Sequence, residues 1–278
     1  MKKTKKIFQR YVFRIAVLIA ACLVIFGGLY AISLKRADIQ EAWNKRGAPV
    51  AVAHLPVALP APVRPLEAQS FAAVVLDSEL TPLPESFDLA VPFTSQAPYA
   101  AWDAVHKEAC EEASLSMVHA FYEGVSGGKI EAAKAEQRIQ EIVAFERKTF
   151  GFFEDTDAEQ TAQIAREFYG YQKIEILIDP SVEDIKRQLV AGRPVIVPSA
   201  GRLLGNPFYN QPGPIYHMLV LRGYTKTKFI TNDPGTRRGE GYQYSFDVVM
   251  QAMRDWNNGD VLNGRKVVLV IYPNSLTP

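Results

Sequence analysis

The chain has 278 residues, 48% of them hydrophobic, and a formal net charge of +1. That balance suits a globular domain with added segments and excludes the broad basic surface of a general nucleic-acid binder. No Gly-rich loop runs into a phosphate-binding Lys-Ser or Lys-Thr pair, and the four scattered histidines lack zinc-ligand spacing, so neither nucleotide, cofactor nor metal chemistry is expected.

Residues 1–14 form a basic tail carrying Lys2, Lys3, Lys5, Lys6, Arg10 and Arg14, and residues 15–34 contain no charge. About 20 uncharged, mostly apolar residues can cross a bilayer core as one helix. Six basic groups before the run, against Lys35 and Arg36 after it, place the N-terminus in the cytoplasm and the rest outside, as a single-pass signal anchor in the cell membrane. A cleaved signal peptide fits less well, because the run is long and Ala31-Ile32-Ser33 is a poor cleavage site. Ile19-Ala20-Ala21-Cys22 resembles a lipidation signal, but the apolar run continues through Ile32.

Residues 35–85 hold Pro49, Pro56, Pro60, Pro62, Pro65, Pro82 and Pro84 and read as a semi-stiff Pro/Ala-rich stalk, with a short strand near 71–76. The folded domain is expected over 86–278. There, helices are predicted at 108–122 (closed by Gly124), at 129–147 from its apolar stripe, and at 157–169 (closed by Gly170). A strand follows at 174–178, a Ser181-capped helix to Leu189, and strands at 195–197, 216–224 and 228–232. A helix at 246–253 and a strand at 266–272 complete an α+β pattern of leading helices and a following antiparallel sheet.

Cys110 falls in the first turn of the first of these helices. A thiol there feels the positive end of the helix dipole, which favours the nucleophilic thiolate. Glu111 and Glu112 oppose that charge, so a base is needed; an inert core cysteine is the competing reading. A hairpin turn centred near Thr225 makes the numbers of facing residues sum to 450, which sets His217 opposite Asp233, with Asn232 within the error of turn placement. A carboxylate beside an imidazole fixes its tautomer and stabilises its charged form. Gln96 can supply an amide donor to an oxyanion, jointly with the Cys110 N–H. His119, half a turn round the helix from Cys110, and His106, on a loop, do not displace His217 as the base. Trp102, Trp256 and the tyrosines near Tyr209 and Tyr216 could line a cleft, but core or rim packing is the favoured reading.

The run Val91-Pro92-Phe93-x-x-Gln96, then Trp102, Ala109-Cys110-Glu111-x-Ala113-Ser114-Leu115-x-Met117, Gly192-x-Pro194-Val195-Ile196-Val197, His217-x-Leu219-Val220-Leu221-x-Gly223-Tyr224 and Asn232-Asp233-Pro234 resembles the C39-like cysteine peptidases. These are relatives of the bacteriocin-processing, double-glycine leader peptidases, with a papain-like fold, and the resemblance covers 92–272. It implies Cys110 as nucleophile, His217 as base, Asp233 as its orienter, Gln96 as oxyanion donor, and a peptide or protein as substrate. Many relatives have Gly-Pro after the cysteine where this chain has Glu111-Glu112. Two other readings keep the same residues: an amidase or transferase that passes the thioester to a cell-envelope acceptor, and a catalytically inactive peptide-binding module.

Overall fold

The structure is a computed structural model that describes residues 19, 23–28, 30, 32–54 and 82–274. These fall into two units, one ending at Arg46 and the other beginning at Gly47. In the first unit residues 32–44 are helical. Among the described residues no helix is long and apolar enough to cross a membrane. Of the expected span, residues 15–18, 20–22, 29 and 31 lie outside the described residues, as does the strand expected near 71–76. The transmembrane helix in the expected fold class therefore rests on sequence alone.

The second unit is organised by its first helix. In α1 (Cys110–Tyr122) every residue from Cys110 to Val118 is buried, so the helix runs through the core and not along its surface. Two further helices, α2 (Ala132–Thr149) and α3 (Ala158–Glu167), follow. A capping box at Asp157 opens α3, and another at Ser181, where a cap is expected, opens α4 (Val182–Val190). Gly124 (φ +83°) and Gly170 (φ +76°) follow α1 and α3 in the left-handed region that stops a helix.

The sheet is antiparallel throughout, in the order β2 (Ile174–Ile178), β7 (Val267–Ile271), β3 (Val195–Ala200), β4 (Tyr216–Tyr224), β5 (Lys228–Asn232), β6 (Glu240–Ser245). A two-residue strand, β1 (Phe87–Asp88), joins the end of β4 beyond the start of β3. Short helices α5 (Gly201–Leu204) and α6 (Phe246–Ala252) complete the unit. β4 and β7 are buried along their whole length; β7 is an unbroken apolar run, whereas β4 carries His217 and Arg222 within its apolar stretch.

Three features differ from the sequence expectation. β1, β6 and α5 were not foreseen; Tyr242 and Tyr244 alternate with Gln243, which is the period-2 signal of β6. The hairpin register is also different. Tyr224 pairs with Phe229 and Gly223 with Ile230, and an irregularity at Arg222 then sets Val220 opposite Asn232. Facing numbers sum to 452 or 453, not 450, so His217 pairs with Ser199 on β3 and Asp233 lies just past the end of β5. Lastly, part of the expected stalk belongs to this unit. Val52 forms a parallel bridge to Leu89, and the His54 ring lies 5.1 Å from that of Phe121.

Candidate active site

Cys110 is the first residue of α1, and no side chain caps the helix at Ala109. First-turn N–H groups have no acceptor within their own helix, so the Cys110 N–H is free to bind an oxyanion. Cys110 is 5% exposed. Sγ receives the Met218 N–H at 3.3 Å and donates to Glu111 Oε2 at 3.0 Å; no hydrogen bond joins it to His217. Burial, and next the Glu111 charge, push the thiol well above its ordinary pKa.

His217 follows from β4, one residue before the Met218 that touches Sγ. Its Nε2 lies 2.8 Å from Asp233 Oδ1, and both side chains are buried. An ionised carboxylate only accepts, so Nε2 carries the proton and the lone pair of the neutral ring sits on Nδ1. Asp233 Oδ1 also accepts the Gly235 N–H at 3.0 Å, and Oδ2 accepts from Tyr209 Oη at 2.6 Å, Asn206 Nδ2 at 3.1 Å and Tyr244 Oη. Burial alone would raise the Asp233 pKa; the His217 charge and the bonds from His217, Tyr209 and Tyr244 outweigh it and hold it below the usual value. Asn232 is not the orienter, because its Nδ2 binds the carbonyls of Val91 and Pro92.

Those bonds fix the loop that carries Gln96. Ser95 Oγ and the Gln96 N–H both donate to Pro234 O, at 3.2 and 3.0 Å, so this loop is tied to the turn holding Asp233. Gln96 Nε2 donates to His106 O and Lys107 O, both at 3.0 Å, and Oε1 has no partner. The amide that the sequence assigns to the oxyanion is engaged with the turn before Cys110. Gln96, Cys110 and His217 nevertheless line one cleft of about 860 Å³. Trp102, Tyr209, Tyr216 and Trp256 line it too, which is the less favoured of the two sequence readings.

His106 has both ring nitrogens 2.8 Å from carboxylates, Asp103 on its own turn and Glu136 on α2. His119 Nδ1 meets Tyr171 Oη at 3.0 Å. Asn206, Tyr209 and Tyr244 were missed as partners of Asp233. Only the closing of β6 and the loop after α5 over Asp233 reveals them.

Behind the nucleophile lies a second set of acids. Glu111, Glu112 and Glu146 are at most 1% exposed. Burial is the main cause that raises all three pKa values; neighbouring carboxyl charges add to it, and for Glu146 the bond with Glu112 partly opposes it. The Glu112 and Glu146 carboxyls meet, and with no donor between them the contact is a bond only when one is protonated. Acids with higher pKa values folded than unfolded keep protons that the unfolded chain has lost. Their stability contribution is therefore complete below about pH 4.3, the ordinary glutamate value, and declines as pH rises toward the folded values. Glu146→Gln supplies a donor N–H opposite Glu112. It should raise stability at pH 8 by about 2 kcal/mol, roughly 4–8 °C in Tm, with little gain at pH 4.5. Equal Tm shifts at both pH values in thermal unfolding would contradict the shared proton.

The Peptidase C39-like family model matches residues 88–259, more than half of the chain. Among solved structures the chain is similar to one titled as a C39-like peptidase from Bacillus anthracis, at 18% identity and TM-score 0.46, covering 69% of this chain and all of that one. It is also similar to procathepsin B S9 from Trypanosoma congolense, at 16% identity and TM-score 0.44, covering 84% of this chain and 89% of that one. No curated protein matches the sequence. The span of the family model takes in Gln96, Cys110, His217 and Asp233, and the chain belongs to the Peptidase C39-like family.

Proposed function

We propose that this chain is a papain-like cysteine peptidase that hydrolyses a peptide or amide bond through Cys110, His217 and Asp233. The observation that carries the reading is the Nε2-protonated His217, held by buried Asp233, with Nδ1 unpartnered among the described residues on the wall of the cleft that Cys110 shares. Nδ1 takes the thiol proton as Sγ attacks the carbonyl carbon. The Cys110 N–H binds the oxyanion, and Gln96 joins it on releasing one carbonyl of the 106–107 turn. The proton passes to the leaving amine, and water attacking the thioester releases the acid and restores the thiol. A membrane anchor over 15–34, with a cytoplasmic N-terminus and an extracytoplasmic peptidase domain, is supported by the uncharged run and by exposed Leu23, Val24, Ile25 and Phe26.

The test is alkylation of Cys110 by iodoacetamide at pH 7, with and without His217→Ala. A fall of at least about tenfold in the mutant is expected, because the thiol then needs its own ionisation near or above pH 8.5. Equal rates would remove His217 as the base and leave a peptide-binding module.

A further inference from the structure

Glu111 is adjacent to the nucleophile in sequence and in space. Its Oε2 is 3.0 Å from Cys110 Sγ, it is 1% exposed, and Oε1 has no hydrogen-bond partner. The groups that bear on it are Cys110 and Glu112 from α1, Glu146 from α2, Asp155 from the loop before α3, and Tyr216 from β4. None of these is a cation. A buried carboxyl with acids around it and no basic partner is stable mainly as the neutral acid. A neutral carboxyl is a donor, whereas an ionised one can only accept. The same atom therefore has opposite effects on Sγ in its two states.

We propose that Glu111 is a further catalytic residue, a charge gate on Cys110 that donates to the thiolate as a neutral acid and keeps the thiol un-ionised as a carboxylate. When His217 Nδ1 takes the proton from Sγ, the product is a thiolate and an imidazolium, and the Glu111 O–H turns to the thiolate. When Glu111 has instead lost its proton to solvent, the S–H bond to Oε2 holds the thiol proton away from His217, and the negative charge opposes a second anion 3.0 Å away. The nucleophile is thus switched off by rising pH, the reverse of an ordinary thiol. Burial and the neighbouring carboxyls raise the Glu111 pKa well above the ordinary glutamate value, so the gate stays open where a solvated glutamate is already ionised. This inference rests on Cys110 and His217 acting as a pair.

The experiment is the rate of Cys110 alkylation by iodoacetamide from pH 5 to pH 9.5 for wild type, Glu111→Gln and His217→Ala. Near-UV circular dichroism at each pH confirms that the protein remains folded. The wild-type rate should rise, pass through a maximum and fall by about fivefold or more toward pH 9.5. Glu111→Gln keeps a donor N–H and cannot ionise, so its rate should rise to a plateau and exceed wild type by about tenfold at pH 9.5. A wild-type rate that climbs steadily to pH 9.5 overturns the gate, whether or not Glu111→Gln folds. A descending limb that survives in Glu111→Gln overturns it as well. Loss of the His217→Ala effect at pH 7 is a separate result, and it sinks the Cys–His pair and not the gate alone.

Discussion

Asp233→Asn is expected to lower kcat/KM by about 10²–10³-fold on whichever fluorogenic library peptide the wild type cleaves fastest. Every neighbour of Asp233 donates: His217 Nε2 and the Gly235 N–H to Oδ1, and Tyr209, Tyr244 and Asn206 to Oδ2. An asparagine must turn an NH₂ group toward one of these sets. The Gly235 N–H is a fixed donor and cannot change role, whereas the two tyrosine hydroxyls can rotate to accept. The asparagine oxygen therefore stays at the Oδ1 position, and the His217 tautomer survives. What disappears is the negative charge beside the imidazolium. At an effective dielectric near 20 that interaction is worth about 4 kcal/mol at 4 Å, which corresponds to roughly three decades in rate. A loss below about threefold would show that His217 does not become charged during the reaction. Assays belong well below the Tm of the mutant, because one donor facing the NH₂ group, Asn206 Nδ2, then has no acceptor there.

How this site forms was only partly legible in the sequence. The helices were readable, because apolar spacing sets 108–122 and 129–147 and glycines in the left-handed region end two of them. Cys110 at a helix start and His217 on a strand both follow from local pattern. The His217–Asp233 contact was inferred for an incorrect geometric reason. The four-residue turn and the irregularity at Arg222 shift the hairpin, and Asp233 reaches His217 from beyond the strand end instead of across the ladder. A side-chain length of reach absorbed the error in register.

Other features were invisible for a common reason: they depend on contacts between distant segments. Glu111 and Glu112 look like solvated first-turn acids, and only the passage of α1 through the core buries them. The clamp on Asp233 joins Asn206 and Tyr209, from the loop after α5, with Tyr244 on β6. The Pro/Ala composition of 35–85 conceals that Val52 pairs with Leu89. Gln96 lines the same cleft as Cys110, yet its amide group is engaged with two carbonyls that no sequence pattern announces.

Asp88→Ala is expected to destabilise the domain by about 3–5 kcal/mol, a fall in Tm of roughly 6–20 °C. Arg222 Nε and Nη2 grip the Asp88 carboxylate at 2.8 and 3.0 Å, and both residues are buried. Burial raises the Asp88 pKa by more than the Arg222 charge lowers it, so desolvation costs more than the pairing returns. Removing one partner then leaves a buried, unpaired guanidinium, which is the expensive state. Removing both does not: Asp88→Leu with Arg222→Met should recover most of the loss, because Val91 O, the other acceptor of Arg222, retains its bond from Asn232. A double mutant as unstable as the single would mean that Arg222 acts through its backbone position and not its charge. The single mutant should also alkylate more slowly at Cys110. Asp88 and Arg222 anchor β1 to β4, Leu89 N donates to Arg222 O at 2.8 Å, and the chain from there carries Gln96 to the cleft. Loosening that anchor frees the turn that presents the nucleophile, so stability and reactivity should fall together.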